Sequence, residues 1–388
     1  MRITHVESIP LAVPLKQRID APISLPHAER LASTVFAEYR TTLVRVTADD
    51  GTTGVGESMV RLAPEATAAI IDRISPVIIG EDPRDVAYLW ELLYGVMLNR
   101  GHTKGFFIEA LSGIDTAIWD LLGRQAGLPC YKLLGGAHRT SLEAYASSLR
   151  FREWSETQQR LDRLWERGFR AFKIKVGRDP TNPRADLEFV EQVREYLGDD
   201  ARLMADANCG YDVRTALKVG AALEELNIEW FEEPLRPDDL EGYHHLAQRL
   251  TIPIAAGESE FTRFGMAPFL ERRAWAIVQP NAGRAGGITE CMRIATLAST
   301  TGAHYAPHTG SSSAVAMAVA LQLATAVPNF LIYEHMISDW DDQQPNPLRH
   351  ELLEEPVEVF TEGRMRIPEG PGLGITLNSE ILERYRLR

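Results

Sequence analysis

From about Ser141 onward, a short apolar strand followed by an amphipathic helix recurs along the chain, and this repeat limits the fold more than any other feature. The predicted strands are LEAYASS, AFKIKV, RLMADAN, IEWFEEP, PIAAGE, AIVQPN, HYAPH and FLIYE. Such alternation favours parallel strands joined by right-handed helical crossovers. Eight of these units close most simply into an α/β barrel of the TIM type.

From the second predicted strand onward, each strand ends in a polar side chain. These residues are Lys175, Asp206, Glu232, Glu258, Asn281, His308 and Glu334, at spacings of 31, 26, 26, 23, 27 and 26 residues. Each spacing is about one strand–helix unit. Barrel enzymes hold their active sites where the carboxyl ends of the strands meet, so we expect these side chains to converge there.

The sequence before the repeat is organised differently. ITHVESIPLAVPL and TTLVRVTADDGTTGVGE read as strands, with Asp50-Gly51 as a hairpin turn, and three helical patterns follow. We therefore predict an α+β domain over residues 1–135, a catalytic barrel over 136–357, and a tail over 358–388 that packs back on the first domain.

Composition excludes several classes of function. The formal charge of −13 disfavours nucleic acid and anionic membrane as partners. Three scattered cysteines, no apolar run of transmembrane length and no signal-peptide pattern predict a cytoplasmic protein. GTTGVG and GRAGG do not match dinucleotide or phosphate-loop spacing, and HTGSSSA is not a serine-hydrolase motif.

Three of the strand-end residues are acids in apolar sequence: Asp206, Glu232 and Glu258. Converging carboxylates without a cation are costly, and a set of oxygen ligands without cysteine or histidine favours Mg²⁺. Read singly, each acid is more often a helix cap or a solvated loop carboxylate, and the three at matching intervals favour the metal site. Glu233 adjoins Glu232, so only one of the two can face the ion, and Glu233 is expected to support it or to pair with a lysine.

Two lysines, Lys173 and Lys175, lie on the same face of the strand AFKIK. One interpretation is an edge strand whose lysines deter aggregation. The other is a catalytic pair, in which Lys173 and a metal ion lower the pKa of Lys175 so that its neutral form acts as a base. Lys173 would also bind a substrate carboxylate oxygen, and His308 would supply a second acid or base.

The motifs K-x-K, DAN, EEP, GE and QP…GGIT, with a late histidine, resemble the mandelate racemase and muconate lactonizing group of the enolase superfamily. The resemblance extends from ALSGIDTAIWDLLG in the first domain to PGLGI in the tail. It implies an α+β capping domain on a modified (β/α)₇β barrel, a homo-oligomer, and removal of the proton α to a carboxylate to give an enediolate held by Mg²⁺.

Residue by residue, the resemblance implies a division of roles. Asp206, Glu232 and Glu258 would bind the metal, Lys175 would be the base on one face, and His308 the acid or base on the other. Glu334 would donate a hydrogen bond to the substrate carboxylate. Asn208 of the DAN motif would contact the substrate or support the residues that do.

Asn281 departs from the pattern of mandelate racemase, which has an aspartate that hydrogen-bonds the catalytic histidine. Loss of that charge should lower the pKa of His308 and loosen control of its tautomer, which disfavours a two-base racemase. A proton donor or an electrostatic role then suits His308 better. Alternatively, Asn281 orients His308 through its amide oxygen.

Loops of the capping domain set specificity in this group. Here RIDAPISLPHAERLAS and ESMVRLAPE offer Arg18, His27, Arg30 and Arg61, which suit a hydroxylated acid. Loop length and NPLRHELLEEPVEV resemble the acid-sugar dehydratases, which form 2-keto-3-deoxy acids. The alternatives are a lactone cycloisomerase, a racemase or epimerase, and a ligand-binding relative without turnover, in which proton exchange would be absent.

Overall fold

The computed structural model describes residues 1–16, 28–337 and 344–387. The first part of the chain forms an α+β domain in which a three-stranded sheet packs against helices. Its elements are β1 (Ile3–Pro14), α1 (Ala28–Val35), β2 (Glu38–Ala48), β3 (Thr53–Ser58), α2 (Pro64–Ile74), a 3₁₀ turn (Ser75–Val77), α3 (Val86–Leu98), α4 (Phe106–Ala126) and α5 (Cys130–Leu133).

The sheet of this domain is antiparallel, in the order β1-β2-β3. The predicted turn joins β2 to β3, and Gly51 adopts a φ of 84°, which glycine tolerates without steric cost. The glycines of GTTGVG allow α4 to approach β3. A Cβ at Gly54 would lie 2.1 Å from the carbonyl oxygen of Ala117, and one at Gly56 would lie 2.1 Å from that of Gly113. These glycines therefore serve packing between strand and helix.

The repeat forms the predicted barrel of parallel strands with helices outside. Its strands are β4 (Leu142–Leu149), β5 (Ala171–Lys175), β6 (Arg202–Asp206), β7 (Phe231–Glu232), β8 (Ile254–Ala256), β9 (Ile277–Val278), β10 (His304–Tyr305) and β11 (Tyr333–Met336). Its helices are α6 (Trp154–Glu166), α7 (Arg184–Leu197), α8 (Val213–Glu225), α9 (Leu240–Arg249), α10 (Thr262–Glu271), α11 (Gly287–Thr301), α12 (Ala314–Ala326) and α13 (Pro347–His350).

The barrel closes on itself. Strands β4 to β10 pair in sequence order, β11 pairs with β4, and backbone hydrogen bonds join Tyr305 of β10 to Asn329 and Leu331 ahead of β11. On β5, Phe172 and Ile174 are fully buried in the core between barrel and helices, as their shared face predicts. Because β5 lies between β4 and β6, its lysines are not on an edge strand.

The tail contacts both parts of the chain. Its hairpin, β12 (Phe360–Thr361) and β13 (Arg364–Met365), pairs antiparallel with β4 of the barrel. The last helix is α14 (Ser379–Tyr385). Directly after it, Arg386 forms an isolated antiparallel β-bridge with Leu11 of β1. The middle of the tail also contacts the first domain, since the backbone N–H of Leu373 donates to Asp120 Oδ1 of α4 at 2.7 Å, whereas the beginning of the tail extends the barrel sheet. None of the described helices is long and apolar enough to cross a membrane.

Asp115 of α4 joins the two domains at the start of α11. It is 2% exposed, one oxygen accepts the backbone N–H of Thr289 at 2.9 Å, and no described residue bonds to the other. Burial raises the pKa of this carboxyl to about 7. In the folded protein the group therefore keeps its proton at a pH where the unfolded chain has lost it.

We expect the stability contributed by Asp115 to be present below about pH 4 and lost as the pH rises through 7. At about 1.4 kcal/mol per pH unit, the loss reaches roughly 4 kcal/mol. The variant Asp115→Asn lacks this titration, so its melting temperature should fall less than that of the wild type between pH 5 and pH 8. Asp72→Asn, at an exposed acid of α2, is the control. Identical pH profiles for Asp115→Asn and the wild type would contradict the prediction.

Candidate active site

Lys173 lies at the centre of a buried acidic cluster inside the barrel. Its side chain is 1% exposed, and its ammonium contacts the carboxylates of Glu232, Glu334 at 3.0 Å and Asp206 at 3.4 Å. Burial alone would lower the pKa of Lys173, but these carboxylates outweigh it and hold the pKa well above its usual value. Lys173 is therefore a fixed cation. Its expected contact with a substrate oxygen would require it to leave these partners.

Lys175 is the more accessible lysine, at 20% side-chain exposure. Its ammonium donates to Asp206 Oδ2 at 2.5 Å and to Asn208 Oδ1 at 2.8 Å. Asp206 is opposite Lys175 in the β5–β6 register, so neighbouring strand ends bring the two together. Burial would raise the pKa of Asp206, but Lys175 and Lys173 outweigh it and hold the pKa below its usual range. The two like charges predicted on one face are thus stabilised by a shared carboxylate.

Glu232 is held in place by two side chains that were not among the predicted site residues. Trp230 Nε1 donates to Glu232 Oε2 at 3.0 Å, and Gln279 Nε2 donates to the same oxygen at 2.6 Å. Burial, followed by the charge of Asp206, raises the pKa of Glu232 to about 8. Gln279 belongs to the QP motif that directly follows β9. Its position at a strand end is the feature of the sequence from which a site residue could have been predicted.

Glu334, at 1% exposure, completes the acidic side of the cluster on β11. Ser147 Oγ donates to its Oε1 and the backbone N–H of Thr309 to its Oε2, both at 2.6 Å. Burial would raise its pKa, but Lys173 outweighs that effect and lowers it. Glu334 is therefore an acceptor in this structure. The donor role implied by the resemblance would require a proton that Lys173 disfavours.

His308 lies between Glu258 and Asn281. Its Nε2 is 3.2 Å from Glu258 Oε2, and its Nδ1 is 3.1 Å from Asn281 Nδ2. The backbone N–H of Gly283 donates to Asn281 Oδ1 at 2.9 Å, which identifies the oxygen side of that amide. An amide N–H facing Nδ1 requires Nδ1 to be the acceptor, so the proton of the neutral ring is on Nε2 and points to Glu258.

This arrangement corrects both expectations for Asn281, the loosened tautomer and the contact through the amide oxygen. The amide nitrogen, rather than the oxygen, faces the imidazole, so the tautomer is controlled and not loosened. The pKa of His308 is lowered, as expected, but the main cause is burial. Glu258 and Glu334 oppose the effect, whereas Arg61 and Lys173 add to it. His308 is therefore a neutral hydrogen-bond donor.

Strained backbone surrounds the acidic cluster. Asn208, Cys209 and Glu233 have φ values of 41°, 63° and 37°, a region that residues other than glycine rarely adopt. Glu233 is buried, and its Oε2 accepts from the thiol of Cys209 at 3.5 Å. Burial, followed by the charge of Glu258, raises the pKa of Glu233 well above its usual value. Glu233 thus adds to the surplus of acids over cations.

Of the predicted lid residues, Arg18 and His27 lie outside the described residues. Arg30 is exposed on α1, and its role stays a prediction. Arg61 follows β3 and is half-buried, close enough to His308 to lower the pKa of its ring. The capping domain therefore brings a positive charge toward the histidine side of the cluster.

The donor set is suitable for a hard divalent cation. Asp206 and Glu232 are adjacent in the β6–β7 register, and Glu258 follows β8, so all three occupy successive strand ends. In the described ranges, no three acidic, histidine or cysteine side chains lie close enough together to bind one metal ion. Asp206 contacts Lys175, Glu232 contacts Lys173, and Glu258 contacts His308 instead. The surrounding acids, with Glu233 and Glu334, outnumber Lys173 and Lys175. A set of oxygen ligands in which acidic groups outnumber the ammonium groups fits Mg²⁺.

Comparison with known proteins identifies the family of the chain. Residues 18–135 match the N-terminal domain model of mandelate racemase / muconate lactonizing enzyme, and residues 156–381 match the enolase C-terminal domain-like model.

Among similar proteins is the D-galactarolactone cycloisomerase of Agrobacterium fabrum, 36% identical over 96% of this chain and 97% of that protein. Another is the L-talarate/galactarate dehydratase of Salmonella typhimurium, 35% identical over 96% of this chain and 87% of that protein. The crystal structure of the 3,6-anhydro-D-galactonate cycloisomerase from Zobellia galactanivorans is 29% identical and covers 100% of both chains, with a TM-score of 0.85. The chain therefore belongs to the mandelate racemase and muconate lactonizing enzyme group of the enolase superfamily.

Proposed function

We propose that this protein is a Mg²⁺-dependent dehydratase of a sugar acid, an aldonate or aldarate, which it converts to a 2-keto-3-deoxy acid. The observation that carries the proposal is the pairing of an accessible lysine with a histidine held as a neutral donor. Lys175 can accept a proton when neutral, and His308 presents Nε2–H. The proposal does not use His308 as the second base that a racemase requires, because Asn281 Nδ2–H facing Nδ1 favours a proton on Nε2.

In the proposed reaction, Lys175 removes the proton from the carbon α to the carboxylate. Asp206, Glu232 and Glu258 would hold Mg²⁺, which when bound stabilises negative charge on the substrate carboxylate. Lys173 remains fixed among Asp206, Glu232 and Glu334 and contributes its positive charge to the site. His308 donates a hydrogen bond from Nε2 to the β-hydroxyl as it departs.

The proton balance of dehydration suits this arrangement. The α carbon loses one proton to neutral Lys175, and the Lys175 ammonium so formed returns that proton to the departing hydroxyl, which leaves as water, so the elimination consumes no net proton. The resulting enol becomes the keto acid when its hydroxyl proton is lost and the β carbon is protonated. Because the neutral His308 ring is a weak acid, its contribution is to orient and polarise the hydroxyl through Nε2–H.

Cycloisomerisation of a sugar-acid lactone is the second candidate. The Agrobacterium fabrum relative, which is a D-galactarolactone cycloisomerase, favours it. This reaction shares the first step, loss of the proton α to the carboxylate, and also has an oxygen leaving group that a neutral donor would assist. The two candidates therefore differ in substrate and not in the role of Lys175.

A panel of aldonates, aldarates and their lactones, incubated with Mg²⁺, tests the proposal. We expect 2-keto acid, detected as its semicarbazone, from one diastereomer of a sugar acid. In D₂O, NMR should detect exchange of the α proton of the same compound. Exchange without keto acid would favour epimerisation, and turnover of lactones alone would favour cycloisomerisation. A panel that gives neither signal would contradict the proposal and favour a ligand-binding relative.

Gly310 offers a test of the histidine. A Cβ at this position would lie 2.7 Å from His308 Nε2 and 2.9 Å from Met336 Cε. The change Gly310→Ala should therefore push the imidazole from its place and lower keto-acid formation by about 10²-fold, while α-proton exchange at Lys175 persists. Steady-state rates and exchange rates measured on the same preparation check this expectation.

Gly95→Ala is the matched control, because a Cβ there would meet no atom within 4 Å. This change in α3 should leave both rates intact and raise stability by about 1 kcal/mol. Equal losses of exchange and keto acid in Gly310→Ala would mean that His308 does not act separately from Lys175.

A further inference from the structure

The end of β3 in the capping domain holds the start of barrel helix α12. Glu57 is 1% exposed, and its carboxylate accepts four hydrogen bonds. Thr41 Oγ1 and the backbone N–H of Ser313 donate to Oε1 at 2.7 and 2.8 Å. Ser313 Oγ and the backbone N–H of Ala316 donate to Oε2 at 2.6 and 2.9 Å. A buried carboxylate from one domain thus caps a helix of the other.

The turn that Glu57 holds leads directly to the catalytic histidine. Ser312, next to Ser313, accepts a hydrogen bond from Asn281 Nδ2 at 3.1 Å. The same amide nitrogen lies 3.1 Å from His308 Nδ1 and 3.3 Å from the carbonyl oxygen of His308. The position of Ser312 therefore helps to direct this amide N–H at the imidazole.

A second contact of the β3 end acts on the opposite side of the amide. The backbone N–H of Met59 donates to the carbonyl oxygen of Gly283 at 3.0 Å, and the N–H of Gly283 donates to Asn281 Oδ1 at 2.9 Å. A Cβ at Gly283 would lie 3.0 Å from Met59 N and 3.2 Å from the carbonyl oxygen of Glu57. The capping strand thus contacts both loops that hold the Asn281 amide.

We propose that Glu57 is a positioning residue: by fixing the Ser312–Ser313 turn, it keeps Asn281 Nδ2 on His308 Nδ1 and so keeps the imidazole proton on Nε2. The effect on turnover rests on the proposed function, whereas the effect on the tautomer does not. If Glu57 only stabilised α12, its replacement would lower the melting temperature and leave the tautomer of His308 unchanged.

The test is the variant Glu57→Gln, which is nearly isosteric but places an amide N–H against donors of the α12 terminus. Long-range ¹H–¹⁵N NMR of protein labelled in histidine reports the tautomer, and loss of its signal in His308→Gln assigns His308. We expect Nε2–H in the wild type and a population of Nδ1–H in Glu57→Gln. Keto-acid formation should fall at least about 10-fold relative to α-proton exchange.

Asp115→Asn is the matched control, because it alters a buried acid of the same domain that caps α11 instead of α12. It should retain the wild-type tautomer and the wild-type ratio of keto acid to exchange. If Glu57→Gln lowers the melting temperature but retains both as well, the positioning role is overturned.

Ser312→Ala provides a second route should Glu57→Gln fail to fold. It removes the hydroxyl that accepts from Asn281 while leaving the Glu57 contacts in place, and the proposal predicts the same shift toward Nδ1–H. An unchanged tautomer in Ser312→Ala would also overturn the proposal. If the substrate panel gives no product at all, the proposed function fails, but the NMR result still decides the role of Glu57.

Discussion

Replacing Lys175 with methionine should lower keto-acid formation by about 10²- to 10⁴-fold, the range usually lost with a general base. Methionine preserves the length and apolar stem of lysine, so loss of the amine is the main change. The α-proton exchange in D₂O should disappear to the same extent, because the same amine carries out both. This parallel loss separates Lys175 from His308, whose disturbance should spare exchange.

The stability of Lys175→Met should change less than its activity. Asp206 would keep Lys173 at 3.4 Å and the backbone N–H of Asn208 at 2.9 Å. Lys104→Met is the control, since Lys104 is a lysine of the capping domain that pairs with Glu260 at 2.6 Å and is 58% exposed. Exchange that survives in Lys175→Met would assign the base to another group.

The positions of the chemical groups could be predicted from the sequence because they follow strand order. In parallel strands, the polar residue after each apolar run reaches the same rim, whatever the details of packing. Lys175, Asp206 and Glu232 therefore lie where the repeat predicts, on consecutive paired strands. Which lysine is accessible could not be predicted in this way, because it depends on depth within the barrel.

Contacts between segments that are distant in the chain could not be predicted from the sequence. Ser313 and Glu57 are 256 residues apart, and neither side chain belongs to a recognisable local motif. The orientation of Asn281 depends on a backbone N–H of Gly283, which no pattern of residue types reports. The pairing of the 360–365 hairpin with β4 likewise follows from tertiary packing and not from turn signals.

Removal of divalent metal is the second change for which we expect a large effect. Asp206, Glu232 and Glu334 contact the ammonium of Lys173, Asp206 also contacts that of Lys175, and Glu233 is buried beside them, so the site as it stands carries more buried acid than cation. Treatment with a chelator should therefore reduce turnover below detection, and Mg²⁺ should restore it. An ion that binds only the folded state adds about 2.7 kcal/mol of stability at 100 times its Kd, so Mg²⁺ should also raise the melting temperature.

The variant Glu232→Gln distinguishes a specific site from general screening of charge. It removes one proposed ligand but retains the shape that Trp230 and Gln279 contact, and the Mg²⁺-dependent rise in melting temperature should largely disappear. Glu260→Gln is the control, because Glu260 follows β8 only two residues after the proposed ligand Glu258 but pairs with Lys104. It should keep the full response to Mg²⁺. An equal rise in melting temperature with Mg²⁺ in both variants would mean that Mg²⁺ binds outside the Asp206–Glu232–Glu258 site. Lys173 and Lys175 would then be the permanent counter-ions of these carboxylates.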